Sequence, residues 1–286
     1  MKITRALLIS VVLIVSVSST LHPATLEKDV VSGTAEWVVH LNARRFWQTE
    51  LIDRIIENFQ GSDPVTEIDS FTVYGPGTEL TEAAIVIRSD FDRDRIISLL
   101  ENTPEYEEYT YDGDRVHSWE DGTTFFGAFP ASDRAILSPS QASLEHGLEV
   151  LKAKEPDIQG NENFAMLEDA PAEAFIVGFT EDAGDIIAEQ AGVDIPGGVK
   201  ALAYGIESDG VIELKSVIKT ADAQTAAMLG QLLDGLLAMA ELNPDLAAFE
   251  ELIRAVDTDV ENETITVDFS YCSEAVFDIL MEKDPR

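Results

Sequence analysis

The sequence predicts an α+β fold of two tandem halves, each in β-α-β-β-α-β order, with antiparallel sheets and helices on one face. Three observations predict it. Segments with strand period and helix period alternate along the chain. Glycine, proline and aspartate turns separate neighbouring strands. Three segments of the first half recur in the second in the same order.

In the first half, residues 35–41 (Ala-Glu-Trp-Val-Val-His-Leu) read as a strand. Residues 44–59 read as an amphipathic helix with Phe46, Leu51, Ile52, Ile55 and Ile56 on one side. Strands follow at 68–74 and 83–88 around Gly75-Pro76-Gly77, then a helix at 91–101. A hairpin, 106–111 with 115–119, closes on Asp112-Gly113-Asp114, whose Asp-Gly pair suits a tight turn. Strands at 124–129 and 134–138 flank Pro130, and a helix at 141–154 ends the half.

The second half opens with residues 172–176, which echo 35–39, and a short helix at 183–190. Ala203-Tyr204-Gly205 echoes Val73-Tyr74-Gly75, and 217–220 echoes 86–89; the three echoes lie at offsets of 137, 130 and 131 positions. Helices at 221–241 and 245–256, a hairpin of 258–260 with 264–271, and a helix at 273–282 complete it. This order is the ferredoxin-like, split βαβ grammar. Residues 155–162, with Pro156 and Gly160, read as the linker, giving halves at 25–155 and 156–286.

The N-terminus predicts export. Lys2 and Arg5 precede the apolar run 6–17, which ends among Ser16, Ser18 and Ser19, so residues 1–24 have the three regions of a cleavable signal peptide. The competing reading is an uncleaved anchor over 6–24, diluted at its distal end by serines, Thr20 and His22. Export places the chain in a periplasmic or extracellular compartment, without a membrane once the signal is cut.

Composition excludes several classes. At 286 residues and 45% hydrophobic, the chain has ample material for a core, which rules out a disordered tail. Cys272 is the one cysteine, so no internal disulfide can staple it. With 54 Asp plus Glu against 19 Lys plus Arg, the formal charge is -35, which repels nucleic-acid phosphates and anionic lipid headgroups.

Candidate sites are few. Asp90, Asp92 and Asp94 with Ile97 and Glu101 have the carboxylate spacing of a calcium loop, at positions 1, 3, 5 and 12. Arg95 stands where that loop needs glycine, and Ser89 matches Thr220 as an N-cap, so the acids read instead as the first turn of a helix. Asp257, Asp259, Glu261, Glu263 and Asp268 echo the spacing, but the alternation of Thr264, Thr266 and Asp268 with Ile265, Val267 and Phe269 makes them the edge of a hairpin.

His22, His40, His117 and His146 have no finger or helical pairing, although His40 and His117 could converge in space. No G-x-S-x-G, H-E-x-x-H or phosphate-binding glycine loop occurs, and Cys272 among Asp268 and Glu274 is a poor nucleophile. Asn262-Glu263-Thr264 is a glycosylation sequon. No cofactor, metal or catalytic residue is therefore assigned. A carboxylate dyad cannot be picked out among 54 acids.

The apolar run 227–239, with Met228, Leu229, Leu232, Leu233, Leu236, Leu237 and Met239, nearly encircles a helix axis. Core is its default reading; a hydrophobic-ligand site between this helix and a sheet is the sharper one.

The signal segment, A-E-W-V-V-H-L-N, I-D-S-F-T-V-Y-G, V-I-R-S-D-F-D and Y-D-G-D-R-V-H-S-W resemble a group of exported proteins of planctomycete-type bacteria, over residues 35–151. The group has no established activity, so the resemblance implies export and no assigned chemistry. The function expected is that of an exported acidic protein that binds a protein or small molecule, or serves the envelope, without catalysis. The alternatives are a lipid or hydrophobic-ligand carrier and an acid-dependent hydrolase.

The charge carries a prediction. Self-repulsion destabilises a compact polyanion and salt screens it, so the thermal midpoint should rise from low to high salt. A flat or falling midpoint contradicts this reading of the charge.

Overall fold

The computed structural model describes residues 26–49, 68–77, 80–184, 187, 195 and 198–281. The expected signal peptide, most of the helix at 44–59 and most of the helix at 183–190 lie outside them. The chain divides into two compact units, 1–44 with 62–162 and 45–61 with 163–286. The division thus falls after Glu162, and the described residues 45–49 go with the second unit.

In the first unit, β1 (Trp37–Asn42) leads into one helical turn, α1 (Ala43–Phe46), whose last two residues belong to the second unit. β2 (Ile68–Gly75), β3 (Ala84–Ser89) and α2 (Arg93–Leu100) follow. A four-strand meander comes next, β4 (Glu107–Tyr111), β5 (Asp114–Glu120), β6 (Thr124–Ala131) and β7 (Arg134–Ser138), and then α3 (Gln141–Leu151). The spatial order is β1-β2-β3-β7-β6-β5-β4 and every neighbouring pair is antiparallel.

Strand alternation explains the layering. β2 buries every second residue, Ile68, Ser70, Thr72 and Tyr74, while β3 is apolar on both faces. Asp112 and Gly113, at φ 49° and 90°, make the tight β4–β5 turn with the two positive φ values that a primed hairpin turn requires.

α3 is capped by Ser140, whose side chain accepts from Ser143 N–H at 3.3 Å. It lays Leu144, Gly147, Leu148 and Val150 against β6 and β7. Gly147 is there because a side chain would not fit. A Cβ at that position would lie inside van der Waals contact with Ile136 Cδ1 and 3.1 Å from Tyr74 Oη, and both residues are buried.

In the second unit, β8 (Ile176–Thr180), β9 (Lys200–Ser208) and β10 (Val211–Lys219) precede α4 (Ala223–Leu242). A 3-10 turn and α5 (Glu250–Arg254) lead to β11 (Val256–Glu261), β12 (Thr264–Cys272) and α6 (Ser273–Met281). The order is β11-β12-β10-β9-β8, antiparallel throughout. Its core joins Val199, Ile218 and Ile265 to Ala226 and Leu229 of α4. Phe46 and Phe175 meet at 5.6 Å between ring centroids, and Phe164 and Phe179 at 4.8 Å.

The α+β class holds, but the split βαβ expectation is corrected by the pairing. A split βαβ sets strands parallel across a helical crossover. Here, within each unit, consecutive strands pair antiparallel as meanders, and the last strand of the second meander docks on the third strand of the first. The strand expected at 172–176 begins at Ile176. The linker is also no free tether: Gly33 N–H donates to Pro156 O at 2.7 Å, Ile158 N–H donates to Val31 O at 3.1 Å, and Ile158 is buried.

Two glycines predict opposite outcomes. Gly147→Val should lose about 1–3 kcal/mol through overpacking against Ile136 and Tyr74. Gly235→Ala, in α4 where nothing lies within 4 Å of the new Cβ, should gain up to ~1 kcal/mol from helix propensity. Urea unfolding of both variants checks this; a neutral Gly147→Val contradicts the close packing of α3.

Candidate functional site

α4 is the element that the core does not account for. It starts on Asp222, whose carboxylate accepts from Thr225 N–H at 2.8 Å and from Thr225 Oγ1–H at 3.2 Å. The Thr225 N–H bond is the main cause holding the Asp222 carboxyl below its ordinary pKa. It stops at Asn243, extended as the residue before Pro244 must be.

Its first two turns are core. Ala226 and Leu229 are buried against Ile218 and Ile265, and Gly230 lets Val260 approach so closely that a Cβ would stand 2.5 Å from Val260 Cγ2. Beyond Gly230 no side chain of α4 is fully buried, although Leu232 and Leu233 still pack half-buried on the core. Leu236 is 41% exposed, Met239 70% and Leu242 83%, and Met228, on the outer face of the first turns, is 43% exposed. α4 is long and apolar enough to cross a bilayer by length and composition, yet 22% of its apolar window is buried. Isolated exposed leucines are ordinary; here several exposed apolar side chains share one helix.

The expected metal candidates take the capping role. Asp92 N-caps α2, accepting from Arg95 N–H at 3.1 Å, and Asp94 lies in the first turn. Glu101 sits at the other end of the helix as its C-cap, and Asp90, Asp92, Asp94 and Glu101 are all exposed. Asp257, Asp259 and Glu261 line β11, with Asp257 opposite Asp268 and Glu261 opposite Thr264. Among the described residues no group of three His, Cys, Asp or Glu is arranged to hold a metal ion.

The histidines do not converge. His40 on β1 and His117 on β5 are five strand positions apart, about 24 Å at ~4.8 Å per strand. Each has its own role. His40 Nδ1 lies 2.9 Å from Thr72 Oγ1. His117 Nδ1 lies 2.8 Å from Tyr106 Oη, and its ring packs edge-on to Phe129, which in turn meets Phe91.

His146 Nε2 lies 2.7 Å from Ser32 Oγ, a serine–histidine contact across 114 positions that the sequence does not announce. Ser32 is no exposed nucleophile. It is buried, with Oγ also accepting from Thr34 N–H and lying 2.9 Å from Thr34 Oγ1, so the contact pins the 32–34 segment to α3. The exposed Cys272 ends β12.

A general acid would need a carboxyl held above its ordinary pKa. Asp112 moves the other way, lowered by hydrogen bonds from Lys154 and Lys152, as does Asp222.

No family model and no curated protein matches the chain. Solved structures do. A crystal structure of the treponemal protein TP0453 (form III) superposes with a TM-score of 0.54 at 10% identity, covering 92% of this chain and 99% of that one. A second (form I) gives 0.51 at 11% identity over 91% and 98%, and a third (form IV) 0.50 at 11% over 91% and 97%. At this identity the likeness is one of fold.

His117 yields a pH prediction. Burial pushes its pKa below the ordinary value, against the opposing pull of Glu108 and Glu101. The unfolded chain then binds the extra proton near pH 6.5, so stability is present above that pH and is lost as pH falls through it. Between pH 7.5 and 5.5, urea unfolding should show the wild type losing more stability than His117→Gln. Equal losses contradict the assignment.

Proposed function

We propose that this is an exported, non-catalytic binding protein that takes the acyl part of a lipid or amphiphile along the distal half of α4. The observation that carries the proposal is the exposure of Leu236, Met239 and Leu242 on a helix whose first turns are core. Methionine and leucine side chains adapt to irregular apolar partners. Asp234 and Glu241 are the charged residues within α4, so little opposes burial of the ridge in an apolar phase. The net charge of -35 restricts the partner to neutral headgroups.

We further propose that the two units descend from one duplicated unit. Support comes from the N-caps. Asp92 and Asp222 stand 130 positions apart, each accepting from the N–H three residues on, and each follows a three-strand meander. A second meander and a helix then follow in both, with four strands in one unit and two in the other.

Flotation with neutral phosphatidylcholine vesicles, and a fluorescent fatty acid as a single-chain probe, test the acyl proposal. Binding should exceed that to phosphatidylglycerol vesicles. It should fall about tenfold or more in Met239→Gln/Leu242→Gln with the thermal midpoint unchanged, since each apolar side chain is worth roughly 1.5–3 kcal/mol on burial. Unchanged binding, or none to either probe, overturns it.

A further inference from the structure

The β3–β7 ladder sets Arg88 directly opposite Arg134. Like charges facing across a ladder repel, and this chain has only 19 Lys plus Arg to place. An anion between them removes the repulsion, and here it is Glu27. Its Oε1 accepts from Arg88 Nη1–H, and its Oε2 accepts from Arg134 Nη2–H at 2.7 Å. Asp133 Oδ2 stands farther out, 3.6 Å from Arg88 Nε and half exposed.

Glu27 is not part of the sheet. It precedes a single 3-10 turn, Lys28–Val30, whose N-terminus has no side-chain cap bond. The carboxylate is therefore delivered by a separate segment, while both arginines are fixed by strand register. The three charged groups rim a small, open hollow lined also by Val30, His40, Ser70, Thr72 and Val86. With Glu27 in place it has room for about one water, so a ligand oxyanion would need the space that the Glu27 carboxylate occupies.

We propose that the Arg88–Arg134 pair is a binding site for a small oxyanion, the carboxylate or phosphate group of a ligand, and that Glu27 occupies it as the chain's own carboxylate. One oxygen on each of two guanidinium groups is an arrangement that a ligand carboxylate, or two oxygens of a phosphate, reproduces. Ligand and Glu27 then compete, and the site opens when Glu27 leaves. The inference stands apart from the acyl proposal for α4, and either can fail without the other.

The test is isothermal titration of the full chain with inorganic phosphate and with succinate, at ionic strength held constant with sodium chloride. Glu27→Gln should bind at least one of them ten times or more tighter than wild type. A gain with phosphate alone identifies a phosphate ligand, and a gain with succinate alone a carboxylate. Adding Arg134→Gln to Glu27→Gln should abolish the gain. Thermal melts in the same buffers cover a destabilised Glu27→Gln: the anion should raise its midpoint more than that of wild type, and not that of the double variant. No gain in either readout, or a gain that survives Arg134→Gln, overturns the proposal and leaves Glu27 as a structural ion bridge.

Discussion

Much of the first unit depends on the antiparallel pairing of β3 with β7. The two strands are separated by a helix and three further strands, so the ladder closes a long loop that local propensity does not favour. Once formed, it sets Ile136 against Val86 and brings α3 down over Tyr74 through the gap left by Gly147. The same register places Arg88 opposite Arg134, so the packing of the core and the polarity of the hollow follow from one alignment. A slip of β7 by one residue would turn Arg134 to the other face, away from Arg88.

The second unit uses an equivalent closure. β12 docks on β10, pairing Ile218 with Ile265 beneath Ala226 and Leu229. Its second meander has two strands where the first unit's has four. The core accounts for the start of α4 and leaves Met239 and Leu242 in solvent. In a chain with no internal disulfide, stability rests on these apolar contacts against the repulsion of a charge of -35. Surface ion pairs such as Lys215 with Asp268 add little.

Local signals were legible. Asp112-Gly113 marks its hairpin and the helix expected from 221 starts at Ala223, but the cap expected at Ser89 is Asp92, three residues on, and Ser89 instead ends β3. What sequence reasoning missed was mainly pairing. Asp209-Gly210, at φ 53° and 74°, is as plain a turn signal as Asp112-Gly113. Reading 203–205 and 217–220 as separate short strands concealed that they belong to two nine-residue strands joined by that turn. The contacts of Arg88, Arg134 and Glu27 span up to 107 positions and leave no local pattern. The apolar run 227–239 reads as a helix, but periodicity cannot say where its burial ends, because that depends on how far β11 and β12 reach beneath it.

The central claim is that α4 is core at its start and a partner surface at its end. Amide hydrogen exchange with and without phosphatidylcholine vesicles measures this residue by residue. The account predicts that residues 226–230 are protected in both conditions, and that residues 236–242 exchange fast alone and slow with vesicles. Uniform protection along α4 without vesicles, or a distal half that stays fast in their presence, would contradict it.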